Sequence, residues 1–111
     1  MKDETVFTAH IGETDVFEWT QGVGKDILMP ILLKVCEEVI EDEIEEKIAA
    51  RIEFSLRGIP KAYDFLVKYE GIDDTLDKIM VWALDEEYYE MCSKVKSLQE
   101  RLQNENTRNW R

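Results

Sequence analysis

Leu84, Tyr88, Met91, Val95, Leu98 and Leu102 follow one another at alternating steps of four and three residues. A strand would scatter these side chains over both its faces, whereas a helix gathers them into one seam of the kind found in coiled coils and antiparallel helix pairs. The repeat predicts a long final helix, capped by Asp73 or Asp74 and carrying Leu76, Ile79, Met80 and Ala83 ahead of the seam. Its apolar stripe must meet another helix, either in the same chain or in a second copy, so homodimerisation through the C-terminal helix is one expectation. Trp82 and its β-branched neighbours leave a competing reading, a strand over Lys78 to Leu84 followed by a shorter helix.

Upstream the period changes. Phe7, Ala9 and Ile11 alternate, and Phe17 and Trp19 follow the polar break Gly12-Glu13-Thr14, which predicts an N-terminal β-hairpin within Thr5 to Thr20. After the glycine-containing loop Gln21 to Asp26, the residues Leu28, Leu32, Val35, Cys36, Val39, Ile40, Ile44 and Ile48 keep helical steps. They predict a helix beginning at Asp26 or at Pro30. Arg51 to Arg57 fits both periods, and a strand is favoured because a lone hairpin is only marginally stable and needs a sheet. Pro60 then suits the first turn of a helix through Ala62, Phe65, Leu66 and Tyr69, with Gly71 as the left-handed residue that ends it. The fold class expected is α+β: an N-terminal β-hairpin, extended by Arg51–Arg57 to a small three-stranded antiparallel sheet, packed on about three helices, the last long and heptad-like.

With 111 residues and 44% apolar side chains, the chain suits one packed core, expected over residues 1–103, followed by a polar tail at 104–111 that contains Trp110. The start Met1-Lys2-Asp3-Glu4-Thr5 has no basic segment leading into an apolar run, and no apolar stretch approaches a bilayer's thickness. A cytoplasmic location is therefore expected, with no membrane contact. Cys36 and Cys92 are far apart and fall on apolar stripes, which points to reduced, packed thiols.

A net charge of −11 argues against direct binding to nucleic acid or to an anionic membrane. That charge is concentrated. Glu37, Glu38, Glu41, Asp42, Glu43, Glu45 and Glu46 fall within ten consecutive residues containing no base. On one helix they would wrap a negative surface around the stripe of Val39, Ile40 and Ile44, with repulsion between carboxylates one turn apart. These seven carboxylates are the candidate partner-binding residues, and the partner they suit is a basic protein surface, including that of a nucleic-acid-binding protein. The last eighteen residues run the other way: five basic against two acidic side chains leave +3 there and −14 in the rest. Acidic and basic helices are complementary, within one molecule or between two.

Catalytic patterns are weak. Gly22-Val23-Gly24-Lys25 has Trp19 where a phosphate loop needs its first glycine and Asp26 where it needs Ser or Thr, so it is not one. His10 is the only histidine and has no Ser or Cys nucleophile beside it in sequence, which excludes a His-rich zinc site and leaves no sign of a serine-type triad. No metal ligands and no cofactor are expected. Among the aromatic residues, Tyr89 and Trp110 are those that core packing does not readily explain, and they suit an interface.

Glu37-Glu38-x-x-Glu41 followed by Glu70-x-x-Asp73 resembles the paired acidic motifs of the MazG-like nucleotide pyrophosphohydrolases, and Glu86-Glu87-x-x-Glu90 repeats the first of them. The resemblance implies an all-α fold in which carboxylates hold Mg²⁺ against the phosphates of a nucleotide. The leading expectation is instead a non-catalytic acidic binding protein: a small regulator or inhibitor, in one version a nucleic-acid mimic similar in size and charge to small acidic phage-encoded inhibitors. The alternatives are the Mg²⁺-dependent hydrolase and a self-assembling structural or assembly-chaperone subunit built on Leu84, Tyr88, Met91, Val95, Leu98 and Leu102.

Overall fold

The computed structural model describes residues 6–108. The elements in chain order are β1 (Phe7–Glu13), α1 (Val16–Gln21), α2 (Val23–Glu41), β2 (Glu46–Leu56), β3 (Ile59–Lys68), α3 (Ile72–Asp85) and α4 (Tyr89–Arg108). The fold is α+β, with a sheet ordered β1-β2-β3 and helices gathered against it. The sheet is mixed: β2 and β3 are antiparallel, but β1 lies parallel to β2, from Phe7 opposite Ala50 to His10 opposite Glu53. A parallel pair needs a crossover, and α1 with α2 supplies it.

The N-terminal hairpin therefore does not form. Asp15 takes an extended backbone and its Oδ1 accepts the Phe17 N–H at 2.9 Å, so a helix starts where the second strand was expected. Helical spacing sends Val16 and Trp19 inward and leaves Phe17 outside, edge-on to Tyr63. α2 starts at Val23, ahead of both expected starts, with Asp26 in its first turn and Pro30 in its interior. Pro30 has no N–H, so the helical bond to the Asp26 carbonyl is missing.

The helix expected after Pro60 is instead β3. Arg57 and Gly58, at φ 54° and 77°, form a two-residue turn between Leu56 and Ile59, the left-handed pair that matches the twist of a tight hairpin. Tyr63, Phe65 and Val67 alternate along the inner side of β3, Val67 fully buried. Gly71 is left-handed as expected, at φ 84°, but it precedes α3 rather than ending a helix. Asp73 and Asp74 lie in the first turn of α3, where carboxylates meet the positive end of the helix dipole.

The expected long final helix is two. α3 ends at Asp85, and the Tyr88 N–H reaches back to the Ala83 carbonyl at 2.8 Å while the Glu87 N–H bonds to Leu84, a Schellman closure with Glu87 left-handed at φ 60°. The chain then turns into α4, which packs against α3 and continues through Arg108, into the segment expected as a tail. Lys78 to Leu84 is helical, not a strand.

Two apolar clusters form the core. The larger joins Cys36, Val39 and Ile40 of α2 to Leu76 and Ile79 of α3 and to Val95, Leu98 and Leu102 of α4. The smaller fills the space between the sheet and α1 with Val16, Leu28, Ala50 and Ile52. Gly24 permits this second contact: a Cβ there would lie 2.3 Å from the Trp19 ring. No helix among the described residues is long and apolar enough to cross a membrane.

Candidate functional site

The seven clustered carboxylates do not share one helix. α2 closes through bonds from the Asp42 N–H to the Glu38 carbonyl (2.9 Å) and from the Ile44 N–H to the Val39 carbonyl (3.1 Å), with Glu43 left-handed at φ 54°. Glu37, Glu38 and Glu41 lie in its last turns, Asp42 caps it, Glu43 and Glu45 form the turn, and Glu46 opens β2. Ile44 and Ile48, expected on the helical stripe, are respectively in the turn and on β2. The run from Lys47 to Ile52 is drawn into strand by pairing with β3, which a helical step of four could not foretell.

Three of the seven are engaged inside the molecule. Glu37 pairs with Lys94 of α4 at 3.3 Å, Glu41 with Arg101 of α4 at 3.3 Å, and Glu38 with Lys47 of β2. The complementarity of acidic and basic helices thus operates within one chain. Each pair is partly exposed, so each contributes at most about 1 kcal/mol.

Asp42, Glu43, Glu45 and Glu46 remain exposed. The Tyr69 N–H bonds to the Glu45 carbonyl at 2.8 Å, which holds the β3–α3 turn beside the α2–β2 turn. That second turn brings exposed Glu70, Asp73 and Asp74 to the same corner; Lys68 lies opposite Glu46 in register, and Lys47, next to Glu46, is engaged by Glu38. The corner also receives the C-terminus of α2, whose last turn carries no basic residue. Carboxylates at the negative end of a helix dipole repel it, and an approaching cation relieves both that repulsion and the repulsion among the acids.

The paired-motif geometry of the pyrophosphohydrolases is not reproduced. Glu70 stands in a turn and Asp73 in the first turn of α3, while Glu37, Glu38 and Glu41 face Lys94, Lys47 and Arg101. The all-α fold implied by that resemblance is not this one. No three His, Cys, Asp or Glu side chains among the described residues converge as metal ligands would.

His10 lies opposite Glu53, with Nδ1 3.0 Å from its carboxylate, and Arg51 grips Asp64 through two bonds of 2.8 and 3.1 Å. These pairs occupy the sheet face turned away from Ala50 and Ile52. Gly22 to Lys25 is the junction of α1 and α2. Both cysteines are free; burial pushes the Cys36 thiol up to about 12, as suits a packing residue.

Of the expected self-association residues, Val95, Leu98 and Leu102 are buried in the larger core and Met91 packs against it, while Leu84 and Tyr88 are exposed. The seam is spent chiefly on α2 and α3 of the same chain. Trp110 lies outside the described residues.

Sequence reasoning missed a groove where α2 passes the α3–α4 junction. It has a volume of about 600 Å³, with Asp26 and Pro30 on one side and Trp82, Tyr88, Tyr89 and Met91 on the other. The Trp82 indole N–H donates to Asp26 Oδ1 at 3.0 Å across its base. The alternation of acids and tyrosines in Glu86-Glu87-Tyr88-Tyr89-Glu90 was the available signal, but its meaning depended on a break between helices that the heptad step concealed. No family model, curated protein or solved structure matches the chain.

Proposed function

We propose that the protein is a non-catalytic binding protein, a small regulator or inhibitor that docks on a basic surface of a partner protein through the corner formed by its α2–β2 and β3–α3 turns. The observation that carries this reading is the joining of Asp42, Glu43, Glu45 and Glu46 to Glu70, Asp73 and Asp74 by the Tyr69–Glu45 backbone bond. The Tyr69–Glu45 bond joins the backbones of the two turns, so binding has chiefly the carboxylate side chains left to order. The spread of the carboxylates over two adjoining turns is also how a protein would imitate a run of phosphates, which makes the basic cleft of a nucleic-acid-binding protein the favoured partner.

The test is capture of partners from the native host at low and at moderate salt, using the wild-type chain and an Asp42→Lys/Glu43→Lys/Glu45→Lys variant. A basic partner that is released by moderate salt and lost with the variant is expected. Capture that ignores both salt and charge reversal would remove the corner from consideration.

A further inference from the structure

We propose that the groove between α2 and the α3–α4 junction is a second recognition site, which takes an arginine side chain, carried between apolar residues, from a partner protein. Its walls combine two features that suit a guanidinium. Tyr88 and Tyr89 supply exposed aromatic surface, and Trp82 forms the base, edge-on to Tyr88 with ring centroids 5.2 Å apart. A planar cation stacks on exposed rings such as those of Tyr88 and Tyr89, with the buried Trp82 behind them. Around them stand the carboxylates of Asp26, Glu87 and Glu90, and among the described residues no basic side chain lines the groove. Among the described residues, no lysine or arginine pairs with any of the three. Asp26 Oδ1 already accepts from Trp82, but three carboxylates with no basic partner among the described residues favour a ligand with several donors, and arginine carries five in one plane.

Size and surroundings favour a residue within a polypeptide over a free ion. The groove, about 600 Å³ and open to solvent, is larger than one guanidinium needs and leaves room for the residues on either side of it. Val23 and Ile27, both exposed, share the helix face of Asp26 and Pro30, and Leu84 is exposed just ahead of the junction. These residues offer apolar contacts to the neighbours of the inserted arginine. The groove is independent of the acidic corner: Asp26, in the first turn of α2, is sixteen residues before Asp42, which caps that helix, roughly 24 Å along its axis.

The experiment follows the Trp82 indole N–H resonance, assigned by its loss in Trp82→Phe, while acetyl-Leu-Arg-Leu-amide is added to the full chain. The expected result is a saturable shift. Binding should be at least tenfold weaker for the same peptide with citrulline, which keeps the shape and loses the charge, and at least tenfold weaker in Glu87→Gln/Glu90→Gln. Charge reversal at Asp42, Glu43 and Glu45 should leave it within a factor of about two at moderate salt, because the corner lies beyond the Debye length. Equal binding of the arginine and citrulline peptides, or no saturable shift, overturns the proposal. Tetramethylammonium binding as tightly as the arginine peptide also overturns it, since the groove would then be a site for small cations.

Discussion

The indole N–H of Trp82 donates to Oδ1 of Asp26 at 3.0 Å, tying the last turns of α3 to the first turns of α2 across fifty-six positions of sequence. Trp82 is buried while Asp26 is exposed, so the bond anchors a core residue to a rim residue. Trp82→Phe should lower stability by about 1–3 kcal/mol, from the lost charge-assisted bond and the smaller ring. Urea denaturation measures this, and Asp26→Asn, which keeps an acceptor, should lose less.

Gly24→Ala should destabilise by about 1–3 kcal/mol, because the added Cβ would stand 2.3 Å from the Trp19 ring and either α1 or the indole must move. Helix propensity alone predicts the opposite sign, since alanine is the better helix former. Thermal denaturation followed by circular dichroism decides between them, and Gly24→Ala combined with Trp19→Leu should recover part of the loss.

Glu43 and Glu87 each occupy the left-handed position that ends a helix, at φ 54° and 60°. Glycine takes that conformation without a Cβ clash, so Glu43→Gly and Glu87→Gly should each raise stability by about 0.5–1 kcal/mol. Removing a carboxylate from a helix C-terminus also helps. Glu43→Gln and Glu87→Gln keep the clash and separate the two effects in parallel melts.

Asp64 should titrate below its ordinary range, because Arg51 holds its carboxylate by a hydrogen bond and by charge. A lowered folded pKa means stability that is fully present above the unfolded pKa of about 4 and lost as pH falls through the folded value. Carbon-detected NMR of the Asp64 carboxyl reads the shift directly. Arg51→Ala should return it towards the ordinary value, and Arg51→Lys only partly, since lysine lacks the two-pronged grip.

Leu98→Ala should reduce stability by about 2–5 kcal/mol, as expected for a leucine buried in the larger core. The melting temperature of the wild type and of this variant should not vary with protein concentration. A dependence on concentration would mean that the seam is shared between copies.

The seam from Leu84 to Leu102 was legible as helix, and so was its need for helical partners, because an apolar stripe keeps one period whatever it packs against. Its interruption was not legible. Tyr88 keeps the step of four after Leu84 even though the chain reverses at Glu87, and the Schellman closure there is made by backbone groups whose pattern leaves no mark in residue type. Tyr63, Phe65 and Val67 did carry the alternation of β3, but Pro60 and the spacing of Ala62, Phe65, Leu66 and Tyr69 satisfied a helix equally well. Only pairing with β2 separates these readings, because it gives the backbone of β3 its hydrogen bonds.

Local chemistry thus determined the α+β class, the left-handed glycine at 71, the concentration of acid between Glu37 and Glu46 and its opposition by a basic C-terminal helix. Tertiary structure decided the rest. It placed β1 parallel to β2, engaged Glu37, Glu38 and Glu41 with Lys94, Lys47 and Arg101, left Asp42, Glu43, Glu45 and Glu46 exposed beside Glu70, Asp73 and Asp74, and opened a groove at the α3–α4 junction. The physical reason is one of range. Periodicity reports which face of an element is apolar, whereas the partner of a carboxylate or of a strand edge is chosen by contacts between residues far apart in sequence.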